Sequence, residues 1–341
     1  MINFKSFGKL SDGREVTAIT LDNGVLSATL LDYGARIQAL IFDGQDVVLG
    51  YDDATGYEKC TAYQGATVGR FANRIDGGRF TLNGVEYDVG RNSGDVHLHG
   101  GEVGFDRAIW EIEDFYDGDE PSVTFTHFSP DGDMGYPGAL SVYVDFILSG
   151  CELHIKYYAV SDADTVISLT NHSYFNLDGS ADVLDQRLMI NASRITPLNS
   201  RCVPDGSFTS VDGTPFDFRS GKRIGDGIDA DDPQIAIGAG FDHNFVIEGE
   251  GMRTAAVAAS DVSGIRMECR TDRPGMQLYT SNFLGEAEGR GKGGRAYSRR
   301  QAFCLETQGF PDAPNKPRFP SALLKKDERW KSETIYAFSK K

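Results

Sequence analysis

The chain has 341 residues, 40% of them hydrophobic, with 50 acidic against 34 basic side chains and a formal net charge of −16. At that length one large domain or two ordinary ones can bury a core, since a domain of roughly 300 residues hides about 75% of its unfolded surface. So acidic a balance speaks against nucleic acid or an anionic membrane as partner, because both need a basic face, and leaves a small neutral ligand open.

The opening MINFKSFGKLSDGREV has no apolar run of the signal-peptide kind, and no window approaches the roughly 20 apolar residues of a membrane-spanning helix, so a cytoplasmic location is expected. Five cysteines (Cys60, Cys151, Cys202, Cys269 and Cys304) are scattered and form no Cys-x-x-Cys pair, which points to buried thiols, not to a disulfide framework or a zinc knuckle.

In chain order, RIQALIF from Arg36 is bounded by DYG and DGQD and is of strand length. RFTLNGVEYDV has two alternating arms around Asn83-Gly84, a pair that accepts the positive φ angles of a type I′ hairpin turn. SVTFTHF, LSVYVDFIL and ELHIKYYAV follow, with alternating or near-continuous apolar and β-branched residues. TVISLT from Thr165 alternates as a half-buried strand, which carries His172 onto the face of Val166, Ser168 and Thr170. The segment Gly225 to Gly240 is expected to be a long surface loop. Glycine punctuates this rhythm, and nothing cuts it into parts. The expectation is therefore an all-β chain, a single large sandwich spanning residues 1–341.

Six histidines are present. His127 and His154 read as ordinary strand residues, whereas His97, His99, His172 and His243 lie in polar or glycine-rich contexts. The His97-x-His99 pair on one strand face raises the thought of a cupin-like metal site, but the proline-glycine turn of GYPGALSVYVDF is not followed by the required histidine. Paired glycosidase carboxylates stay open among so many acids. Asn73 and Arg74 of GRFANRI offer an amide and a planar fork suited to hydroxyl oxygens. Glu306 ends the apolar AFCLE and precedes a proline-rich loop; at the mouth of a sheet, in apolar surroundings, its carboxyl would be raised toward a general base's range.

Taken together, GRFANRI, HLHGG, SPDGDMGYPGAL, NHSYFNLDG, GTPFDFR, FDHNF, PGMQLYTSNFL and ETQGFPDAPNKPRFP resemble the aldose 1-epimerases, in order and over nearly the whole chain. The resemblance implies a mostly antiparallel β-sandwich with a sugar in an open cleft, and interconversion of the α and β anomers of free hexoses such as galactose or glucose through the open-chain aldehyde. By motif it implies Glu306 as base, His172 as acid and His99 as a second active-site histidine, with Asn73, Arg74, Asp242 and Gln277 holding sugar hydroxyls. It implies no cofactor and no metal, since only protons move, and a monomer or homodimer. The stretches IFDGQDVVLG and SNFLGEAEGRGKGGRAYSRRQ depart from the family pattern and are expected at the cleft rim. The alternatives are a non-catalytic sugar-binding module on the same fold and an epimerase of a phosphorylated sugar.

Overall fold

A computed structural model describes residues 1–340. Strands dominate, and among the described residues the α-helices are two short ones, Ala54–Lys59 and Pro233–Gly238. A nine-stranded antiparallel sheet runs in the spatial order Glu111–Tyr116, Ser122–Ser129, Leu140–Ser149, Glu152–Ser161, Trp330–Lys340, Ile265–Thr271, Arg253–Ala259, Arg187–Ile190 and Lys222–Arg223. The C-terminal strand thus lies at the middle of the sheet, between partners far apart in sequence. A second sheet of five strands contains Asp242–Ile247, Gly275–Tyr279 and Cys304–Gln308, and a third is built from the N-terminal strands Ile2–Lys9 to Gln45–Asp46.

The large sheets pack face to face. Alternation along Leu140–Ser149 and Glu152–Ser161 sends Val142, Val144, Phe146, Leu153, Ile155 and Tyr157 inward, where they join Phe245, Leu278, Leu305 and Phe338 in one core cluster. Tyr336, from the centre of the nine-stranded sheet, donates its hydroxyl to the Leu305 carbonyl of the smaller sheet, 3.3 Å away. The all-β sandwich expected from the sequence is what the chain forms.

Arg36–Phe42 is a strand, and Arg79–Leu82 pairs with Val85–Asp88 around Asn83 and Gly84, at φ 51° and 79°, as a type I′ turn requires. Two expectations need correction. TVISLT is not one half-buried strand: Thr165–Val166 pairs with Leu323–Leu324, Thr170–Asn171 pairs with Thr67–Val68, and the residues between are buried on both faces. The surface loop at 225–240 contains the helix Pro233–Gly238, capped by Asp232, whose carboxylate accepts from Gln234 N and Ile235 N, with proline at the first helical position.

Candidate active site

Three strands of the smaller sheet set one polar wall. Asn244 lies opposite Gln277 and Gln277 opposite Glu306, while Asp242 lies opposite Tyr279. Directly paired residues share a face, and period 2 places Asp242 with Asn244, so Asp242, Gln277, Tyr279 and Glu306 all project to the side away from the core. His243 faces the other way and packs against Phe216.

A second group arrives from the irregular strands. His172 is fixed by its backbone, donating to the Ala66 carbonyl at 2.9 Å and accepting from Gly65 N at 2.9 Å. The short ladder of Arg74–Asp76 with Val96–Leu98 delivers Arg74 and His99 side by side. His99 leaves that ladder at φ 53°, and Gly100, at φ 91°, sits where any Cβ would collide with the Gly69 carbonyl. The expected His97-His99 pair on one face therefore does not form. His97 points into the core, its Nε2 2.7 Å from the Tyr136 hydroxyl.

These groups converge on an open cavity of about 450 Å³ lined by Asn73, Arg74, His99, His172, Asp242 and Glu306. Gln277 is not in its lining; it stands behind Asp242 and donates to Oδ1 at 2.6 Å, while Arg74 approaches Oδ2 at 3.4 Å. At the floor, His172 Nε2 is 3.6 Å from Glu306 Oε1, and both side chains are buried. Desolvation lowers His172 to about 4. It raises Glu306 well above the ordinary carboxylate range, aided by Asp242 and opposed by Arg74. Burial thus favours the neutral forms of both. A neutral imidazole beside a neutral carboxylic acid holds as many protons as an imidazolium beside a carboxylate, so one proton transfer separates the two states.

His99, His172 and Glu306 bring one ligand atom each within 4.8 Å of one another, close enough to ask whether they suit a metal ion. The donor set argues otherwise. His99 Nδ1 accepts the Asn73 N–H at 3.1 Å, so Nε2 carries the hydrogen when the ring is neutral and offers the cavity a donor instead of a lone pair.

Aromatic rings frame the pair, and reading the sequence assigned them no role. Tyr174 stacks on His172 with centroids 5.1 Å apart at 15°, and Tyr63 lies 6.0 Å from the same ring at 22° and 4.7 Å from His99. Tyr279 and Phe283 are the other aromatic side chains of the lining. The signal for Tyr174 was present in NHSYF, since a residue two after His172 in extended chain shares its side. The loop from Phe283 to Glu288 lies at the cavity as expected, whereas residues 44–50 line a separate hollow of about 350 Å³ with Lys292 and Tyr297.

A β-sandwich with a buried imidazole and carboxyl at the floor of an open polar cavity has the build of an acid-base enzyme for a small molecule. Comparison with known proteins narrows this. The aldose 1-epimerase family model matches residues 17–337. The chain is 41% identical to galactose mutarotase of Bos taurus, over 98% of this chain and 97% of that one, and 35% identical to aldose 1-epimerase of Escherichia coli K12, over 96% of each. Among solved structures, galactose 1-epimerase from Lactobacillus acidophilus superposes with a TM-score of 0.89 at 31% identity, covering 100% of this chain and 99% of that one. An aldose epimerase homologue from C. elegans gives 0.87 at 34%, covering 95% and 98%. The chain belongs to the aldose 1-epimerase family, whose members are isomerases.

Proposed function

We propose that the protein interconverts the α and β anomers of free aldohexoses, galactose and glucose among them, by general acid-base catalysis at His172 and Glu306. The observation that carries this reading is the approach of Nε2 to Oε1, 3.6 Å, at the floor of a cavity open to a sugar. In the reactive form Glu306 is the carboxylate and His172 the imidazolium. Glu306 takes the proton of the anomeric hydroxyl as His172 gives its proton to the ring oxygen; the C1–O5 bond breaks and the open-chain aldehyde forms. Rotation about C1–C2 presents the other face of the carbonyl. His172 then recovers its proton from the C5 hydroxyl, Glu306 returns one to O1, and the ring closes as the other anomer with every proton accounted for.

His99, with its N–H directed by the Asn73 contact, donates to the ring oxygen region. Arg74, Asn73 and Asp242 take sugar hydroxyls, and Gln277 serves the substrate by orienting Asp242. The chemistry moves only protons and calls for no cofactor. The central position of the C-terminal strand supports treating residues 1–341 as one domain. Five free cysteines suit the cytoplasm, and among the described residues no helix is long and apolar enough to cross a membrane. We take the assembly as monomer or homodimer.

Polarimetry of freshly dissolved α-D-galactose and α-D-glucose, with and without EDTA, tests the reading. Acceleration indifferent to EDTA is expected. A folded protein that binds these sugars without accelerating their mutarotation would instead be a binding module, and one that accelerates only a phosphorylated hexose would be an epimerase of that class.

A further inference from the structure

One wall of the cavity is apolar and faces solvent. Phe283 lines the cavity yet is 70% exposed, unlike Tyr174, which is buried. The backbone beneath the ring is firmly held. Phe283 N donates to the Tyr279 hydroxyl at 3.1 Å, Leu284 N donates to the Ser281 carbonyl at 3.2 Å, and the Leu284 side chain is buried in the cluster that holds Tyr174 and Tyr297.

Farther along, the loop is clasped to the opposite rim. The Glu288 carboxylate accepts from Thr61 N at 3.0 Å and from the Thr61 hydroxyl, and the Tyr51 hydroxyl donates to the Glu288 carbonyl at 2.8 Å. Thr61 and Glu288 both reach the cavity. A phenyl ring held over a polar cavity and left in water lacks a covering surface, and a pyranose supplies one, because its hydroxyls point outward from a ring whose C–H face is apolar. The floor groups named above suit the hydroxyls and leave that face to an aromatic neighbour.

We propose that Phe283 is a substrate-binding platform for the C–H face of a pyranose, either the reacting ring or a second ring glycosidically linked to it, and that the Glu288–Thr61 clasp positions it. The proposal rests on the epimerase reading and names a specificity residue within it.

The test compares wild type with Phe283→Ala, Phe283→Trp and Glu288→Ala on α-D-galactose, α-D-glucose and α-lactose, following kcat and KM by polarimetry, sugar affinity by calorimetry and thermal midpoint. Phe283→Ala is expected to raise KM and Kd about tenfold, the loss of part of one buried aromatic contact, with a much smaller change in kcat. Its midpoint should not move, since the ring is exposed, and Phe283→Trp should restore affinity. A loss on all three sugars places the platform under the reacting ring, and a loss on lactose alone places it under the outer ring. Glu288→Ala should weaken affinity less than Phe283→Ala, and no change there overturns the clasp. Unchanged KM and Kd in Phe283→Ala on every sugar overturns the platform. A wild type that binds sugar without turning it over would sink the epimerase reading alone, because Kd still tests Phe283.

Discussion

His172 Nε2 and Glu306 Oε1 lie 3.6 Å apart, and each side chain keeps a second buried polar atom, Nδ1 and Oε2, without a partner. Leaving buried polar atoms without partners costs stability, so the fold carries a cost at this pair. Burial is the largest influence on both groups, opposed in part at Glu306 by Arg74.

That balance fixes a pH profile. In the proposed mechanism catalysis needs one proton shared by the pair: below both pKa values the carboxyl is protonated and the base is lost, and above both the imidazole is neutral and the acid is lost. With His172 lowered to about 4 and Glu306 raised, kcat/KM should hold a plateau whose acid limb falls near pH 4 and whose alkaline limb lies above the ordinary carboxylate range. Rates corrected for spontaneous mutarotation across the acid and neutral range would show it. An acid limb near 6.5, the ordinary histidine value, would mean that His172 is not held neutral by burial.

Substitution of either member should cost turnover more than affinity. Glu306→Gln keeps the shape of the side chain and removes the proposed base, and His172→Asn removes the proposed acid, so each is expected to lower kcat by roughly 10²–10⁴-fold, the usual worth of a positioned acid or base. Sugar affinity measured by calorimetry should stay within several fold. Near-normal turnover in Glu306→Gln would show that another group takes the anomeric proton.

Arg74 and Gln277 should act on affinity by different routes. Arg74→Ala removes a group at the cavity wall and is expected to raise KM with kcat little changed. Gln277→Ala leaves Asp242 Oδ1 without the amide that now reaches it at 2.6 Å, an unsatisfied buried acceptor worth about 1–3 kcal/mol. Both variants should raise KM and lower folding stability, since Arg74→Ala likewise takes a partner from the buried Asp242 carboxylate. Equal KM in Gln277→Ala and wild type would break the link through Asp242.

The strands were legible where one physical rule decided them. Alternation settled Leu140–Ser149 and Glu152–Ser161 because one face is buried against the core, and Asn83-Gly84 settled its hairpin because both residues must take positive φ. Around His172 that rule gave the wrong element. The segment is buried on both faces, so its alternation did not report one solvent side, and tertiary pairing split it between two partners. The helix at Pro233 was hidden by its brevity, although the Asp-Pro cap and start stood in the sequence. At the site, the motifs named the polar residues. Tyr174 could have been found from its place two residues after His172, but that Tyr63, Tyr279 and Phe283 join it was not legible, because the ring is assembled from segments remote in sequence.

His97 provides a stability test separate from the chemistry. Its Nε2 meets the Tyr136 hydroxyl at 2.7 Å, it is fully buried, and desolvation lowers it to about 4. The unfolded chain, with a histidine near 6.5, binds the proton more readily than the fold does, so the stability that neutral His97 contributes is present above pH 6.5 and is lost as pH falls toward 4. His97→Leu does not titrate. At pH 7 the variant should be less stable than wild type by about 1–3 kcal/mol, because the Tyr136 hydroxyl loses its partner. At pH 5 the wild type alone has given up about 2 kcal/mol, so the gap should shrink by that amount. Urea unfolding of both proteins at the two pH values measures it. A gap that is the same at pH 7 and pH 5 would mean that His97 is not depressed in the folded state.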